Sequence, residues 1–131
     1  MDPSFRVYFN HRRQWVDVFM EDVHPDTFNG RSGTRWGYFT GVGGEERRAR
    51  RGRFGELHFV VKKFRHDTVA HELLHLWIEW IRTGRRRGEV REPAIIPYSK
   101  TEEKYCDLFD EITRHFWKEY EKWRVTKVIL P

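Results

Sequence analysis

The run "HDTVAHELLHLWIEWI", His66 to Ile81, constrains this chain more than any other stretch. Its large apolar residues recur at three- and four-residue intervals, the spacing of a helix with one buried face. His71 and His75 are one helical turn apart, so both imidazoles leave the same side of that helix. Glu72 stands beside the first. Burying three unpaired polar groups among Leu and Trp would be costly. They must therefore meet partners or hold a ligand.

The rest of the chain organises around that helix. Asp67 is a good N-cap for it, and Thr83-Gly84 ends it. The stretches "FRVYFN", "QWVDVFM", "RWGYFTGV" and "GELHFVVKKF" are rich in Val, Phe, Tyr and Trp and read as strands. In the last of these, Leu57, Phe59 and Val61 are expected on one sheet face, and His58, Val60 and Lys62 on the other. "HPDTFNGRSG" is turn chemistry and "GGEERRARRGR" reads as a long charged hairpin loop. Ser99-x-x-Glu102 is a capping box that opens a second helix. Tyr105, Leu108, Phe109, Ile112, Phe116, Tyr120 and Trp123 form its apolar stripe. The tail "RVTKVILP" reads as a terminal strand or a loose end. Strands followed by helices give an α+β class. The expectation is one domain over residues 1–131, with a mostly antiparallel twisted sheet of three or four strands. The sheet packs on helices at about 67–82 and about 100–123.

Two neutral imidazole nitrogens on one face suit a divalent ion such as Zn²⁺. A catalytic site adds a third protein ligand and leaves a position for water. Glu72 cannot easily join the same tetrahedral grip, but its carboxylate can reach that water and act as general base while it attacks a carbonyl. For the third ligand, no His, Asp or Glu follows His75 at the short spacing of a metzincin. The second helix offers Glu102, Glu103, Asp107 and Asp110. On the helical wheel Glu102 falls near the apolar stripe, while Glu103 and Asp107 share another face.

"DTVAHELLH" together with "EEKYCDLFDEI" resembles the gluzincin metallopeptidases, the thermolysin-like and minigluzincin group. The resemblance covers the two helices and, more loosely, the strands "GYFTG" and "GELHFVV". It implies a small zincin-like domain that hydrolyses peptide bonds with Zn²⁺. In that family the second helix carries an ExxxD pattern, and Glu103-Lys104-Tyr105-Cys106-Asp107 fits it. By the resemblance Glu103 is the third ligand, next to His71 and His75. Asp107 would orient His71, and Glu102 would support the His75 side. The family's apolar offsets after the ligand Glu are filled by Tyr105, Leu108 and Phe109. Larger members use a His or Tyr from a second domain to stabilise the oxyanion; within this chain the candidates are Tyr98 and His115. Zincins lay an edge strand over the motif helix, and "RWGYFTGV" is the expected edge, where extended substrate adds by strand pairing.

Charge and partners follow. Formal net charge is +5, with acids mixed among the basic residues. The Arg-rich stretches Glu46–Arg53 and Arg82–Arg91 read as solvated loops in preference to nucleic-acid contacts, since no nucleic-acid fold signature accompanies them. No apolar run has the roughly 20 residues a bilayer span requires. The lone Cys106 and the absence of a signal-peptide pattern at the N-terminus point to the cytoplasm. No signal for a particular oligomeric state is present. The expected partner is a peptide or protein substrate. Two other functions fit the same residues. One is a zinc-containing regulatory or nucleic-acid-associated protein, by analogy with small zincin-like proteins of phages and prokaryotic operons. The other is a latent peptidase whose tail "VILP" covers its cleft.

Overall fold

The computed structural model describes residues 2–23, 36–41, 51–83 and 100–129, with residues 83, 100–103 and 128–129 described by backbone alone. Four strands come first: β1 (Phe5–Phe9), β2 (Gln14–Glu21), β3 (Gly37–Gly41) and β4 (Gly52–Val60). A 3₁₀ turn over Val61–Lys63 leads to helix α1 (His66–Thr83), and helix α2 (Lys100–Ile129) follows. The result is the expected α+β architecture.

The sheet order is β1-β2-β4-β3. The two outer pairings are antiparallel, and the central pair β2–β4 is parallel. Alternation along the strands sends Val7, Phe9, Val16, Val18, Leu57 and Phe59 to one face, where all are fully buried. Helix α1 adds Val69, Leu73 and Leu76 to this core, and α2 adds Leu108, Ile112 and Phe116. Edge-to-face rings connect the layers: Phe5 with Phe116 at 5.5 Å and Phe59 with Phe116 at 5.8 Å.

A register shift between Trp15 and Val16 leaves Phe54 as an extra residue in β4. This bulge turns Phe54 into the core, edge-to-face with Phe9 and stacked on Phe39. The next residue must then be small. A Cβ on Gly55 would lie 2.5 Å from the Thr40 carbonyl oxygen and 2.8 Å from the Phe39 ring.

The opposite sheet face is tied by polar and aromatic groups. His58 is sandwiched between Phe19 at 4.7 Å and Tyr38 at 4.4 Å. Its Nδ1 and Nε2 each stand 3.1 Å from a carboxylate oxygen, of Glu21 and Glu56 respectively. One side chain thus cross-links β2, β4 and β3. Burial, reinforced by the charges of Glu21 and Glu56, holds the Tyr38 phenol above its ordinary value of 10.0. The folded state therefore keeps this proton longer than the unfolded chain. The stabilisation is complete below the unfolded value near 10 and is lost as pH rises through the folded value. Thermal melts should show extra loss of stability at alkaline pH that Tyr38→Phe removes; identical alkaline profiles for both proteins would contradict this.

Several boundaries differ from expectation. β4 starts at Gly52, inside the stretch read as loop, and ends at Val60. Val61 and Lys62 are therefore in the 3₁₀ turn and not on alternate sheet faces. Helix α1 starts one residue before Asp67, whose carboxylate accepts from the Thr68 N–H at 3.0 Å. Helix α2 does not end at Trp123 but continues to Ile129. No Gly or Pro interrupts that tail before Pro131. The ion pairs Glu119–Lys122 and Glu121–Arg124, with Thr126 Oγ1 donating to the Lys122 carbonyl, support the extra turns.

Candidate metal centre

His71 and His75 leave α1 on the side facing β3 and are both exposed. Their Nε2 atoms stand 3.2 Å apart, with the rings at 78°. Two nitrogens bound at about 2.0–2.1 Å to a tetrahedral ion would be separated by about 3.3 Å. The nitrogen spacing thus matches that of two ligands on one divalent ion. Glu72 is different from its neighbours, being only 6% exposed. Ligand atoms of His71, Glu72 and His75 all lie within 4.8 Å of one another, the one such group among the described residues. Two nitrogens beside a carboxylate suit zinc and other first-row divalent ions.

These residues open into a cleft of about 670 Å³ between α1 and β3. Its walls are Trp36, Gly37, Tyr38, Phe39 and Gly41 on the strand side, and Asp67, Thr68, His71, Glu72, His75 and Glu79 on the helix side. Among the described residues β3 pairs with β4 and has no neighbour on its other side, so it is the edge strand expected from "RWGYFTGV". It approaches α1 closely because Gly37 has no side chain. A Cβ there would meet the Phe59 ring at 2.9 Å and Thr68 Cγ2 at 3.1 Å.

Helix α1 is held in place along its length. Trp77 Nε1 donates to the Tyr105 carbonyl of α2 at 2.8 Å. Trp80 Nε1 donates to Gln14 Oε1 at 2.9 Å, and Asn10 donates to the same oxygen. Gln14 is 1% exposed, so this amide anchors the far end of α1 inside the protein.

Of the other expected site residues, only Asp107 and His115 have described side chains. The side chains of Glu102 and Glu103, and all of Tyr98, lie outside the described residues. Asp107 is exposed and is not part of the cleft lining. His115 is tied to the outer strand β1. Its Nδ1 donates to the Tyr8 carbonyl of β1 at 2.7 Å. β1 and β3 are opposite sheet edges, about 14 Å apart at three strand spacings. The tail does not cover the cleft within the described residues. Trp123 packs on Phe5 of β1, and α2 runs on as helix from there. Of the Arg-rich stretches, residues 46–50 and 84–91 lie outside the described residues. No described helix is long and apolar enough to cross a membrane.

Two cleft residues were missed by the sequence reading although a signal existed. Asp67 is one turn before His71 and Glu79 one turn after His75, so i, i+4 spacing places all four on one stripe. Comparison with protein-family models, curated proteins and solved structures finds no match for this chain.

Proposed function

We propose that the protein is a metal-dependent peptidase of the gluzincin type. The observation that carries this reading is the His71–His75 nitrogen pair at single-ion spacing with the buried Glu72 carboxylate beside it, next to β3, which has no second strand partner among the described residues. A zinc ion held there would supply Lewis acidity to the scissile carbonyl and acidify a water molecule. His71 and His75 would hold the ion, and Glu103 is the proposed third ligand. Glu72 takes the proton from the attacking water and returns it to the leaving amine. Extended peptide aligns by adding to the outer edge of β3, which fixes its carbonyl over the histidines.

Metal analysis tests the ligand set directly. Wild-type protein should bind about one zinc per chain, with affinity lowered by at least about 100-fold in His71→Ala, His75→Ala and Glu103→Ala. Undiminished zinc binding by His71→Ala would overturn the site. Undiminished binding by Glu103→Ala alone would leave the histidine pair standing and remove Glu103.

A further inference from the structure

The sheet face turned away from the core holds one imidazole in a closed setting. The His58 side chain, on β4, is 12% exposed. Its ring is stacked between Phe19 of β2, at 4.7 Å and 11°, and Tyr38 of β3, at 4.4 Å and 5°. Both ring nitrogens meet carboxylates. Nδ1 is 3.1 Å from Glu21 Oε1, and Nε2 is 3.1 Å from Glu56 Oε2. A neutral imidazole has one N–H and one lone pair. It donates to one of these carboxylates and turns its lone pair on the other. With both glutamates ionised, only the doubly protonated ring donates to both, and its charge also suits the two aromatic faces.

The charged and titratable groups around this ring come from three strands. β2 contributes Glu21, with Asp17 paired across to Glu56 and engaged by Arg6 at 2.9 Å. β4 contributes Glu56, whose other oxygen accepts from Arg53 at 2.9 Å. β3 contributes Tyr38, whose phenol is held above its ordinary value and so brings no charge at neutral pH. Arg6 and Arg53 are thus occupied by Asp17 and Glu56. Among the described residues His58 is the one cationic group within ion-pair distance of Glu21. The ring of Tyr38 lies on His58, while Tyr38 and its neighbours Gly37 and Phe39 border the cleft. What holds Tyr38 from behind therefore holds the strand-side wall.

We infer that His58 is a proton-operated latch on β3, and through β3 on the strand-side wall of the cleft. With two protons the ring is anchored at both nitrogens and presents a cationic face to Tyr38. Loss of one proton breaks one anchor, leaves a carboxylate facing a lone pair, and takes the cation from the Tyr38 ring. The grip on β3 is therefore tight on the acid side of the ring's titration and slackens as pH rises through it. The latch stands apart from the peptidase reading and needs no metal.

The test is amide hydrogen exchange by NMR on isotope-labelled, full-length protein between about pH 5 and 8, the range in which histidines change charge. The ring nitrogen shifts of His58 are read in the same samples. Protection of the β3 amides, corrected for intrinsic rate, should fall at least about threefold as the ring loses its proton, while the β1 amides keep theirs. Replacing His58 removes a ring packed between two strands and can unfold the sheet, so the deciding variant is Glu21→Gln, whose side chain is 24% exposed. It should move the ring's titration to lower pH and shrink the fall in β3. The histidines of the cleft also border β3, and this comparison separates their contribution, because the substitution leaves them untouched. A ring that keeps one protonation state across the range, β3 protection that does not follow the ring, an equal loss in β1, or an unchanged response in Glu21→Gln would each overturn the inference.

Discussion

Glu72→Gln should retain zinc and lose peptide hydrolysis by about 100- to 10,000-fold, the usual contribution of a positioned general base. The substitution keeps the volume and most of the hydrogen-bonding capacity of a side chain that is 6% exposed. The fold and the His71–His75 pair should therefore survive. What disappears is the carboxylate's ability to accept a proton. Metal content and thermal stability close to wild type, together with absent turnover, would separate a chemical role from a structural one. A fully active Glu72→Gln protein would show that proton transfer occurs elsewhere.

The largest stability effect should come from Phe59→Ala, at about 3–5 kcal/mol. Phe59 is fully buried and contacts three parts of the fold: Phe64 after the 3₁₀ turn, edge-on at 5.5 Å, Phe116 of α2 at 5.8 Å, and Gly37 across the β3–β4 pairing. Removing the ring leaves a cavity beneath the strand that borders the cleft. A domain of this size should lose about 10–20 °C in Tm, read by calorimetry or circular dichroism. A loss below about 1 kcal/mol would mean that the sheet and helices collapse into the space, contrary to the packing described above.

Much of this was legible in the sequence because it is local. The two helices and four strands announce themselves through spacing, β-branched and aromatic content, and turn residues. His71, Glu72 and His75 are close in space because one helical turn makes them so. Strand order was not legible. β2 and β4 pair in parallel although a segment containing β3 separates them, and no local pattern in "QWVDVFM" or "GELHFVV" specifies that neighbour. The bulge at Phe54 follows from fitting one ring between Phe9 and Phe39, which is tertiary information. The tail was misjudged for a different reason. Val and Thr in "RVTKVI" have strand preference, but it is weak against helix propagation from a formed helix with supporting ion pairs. His115 offered no sequence signal for its tie to the Tyr8 carbonyl, 107 positions away.

The strand order has a consequence for how the molecule assembles. β4 lies between β2 and β3, although it is made after both. Until residues 52–60 are in place, β3 lacks its only partner among the described strands, and the helix that carries the histidines follows later still in the chain. A chain interrupted upstream of β4 would therefore carry neither bank of the cleft.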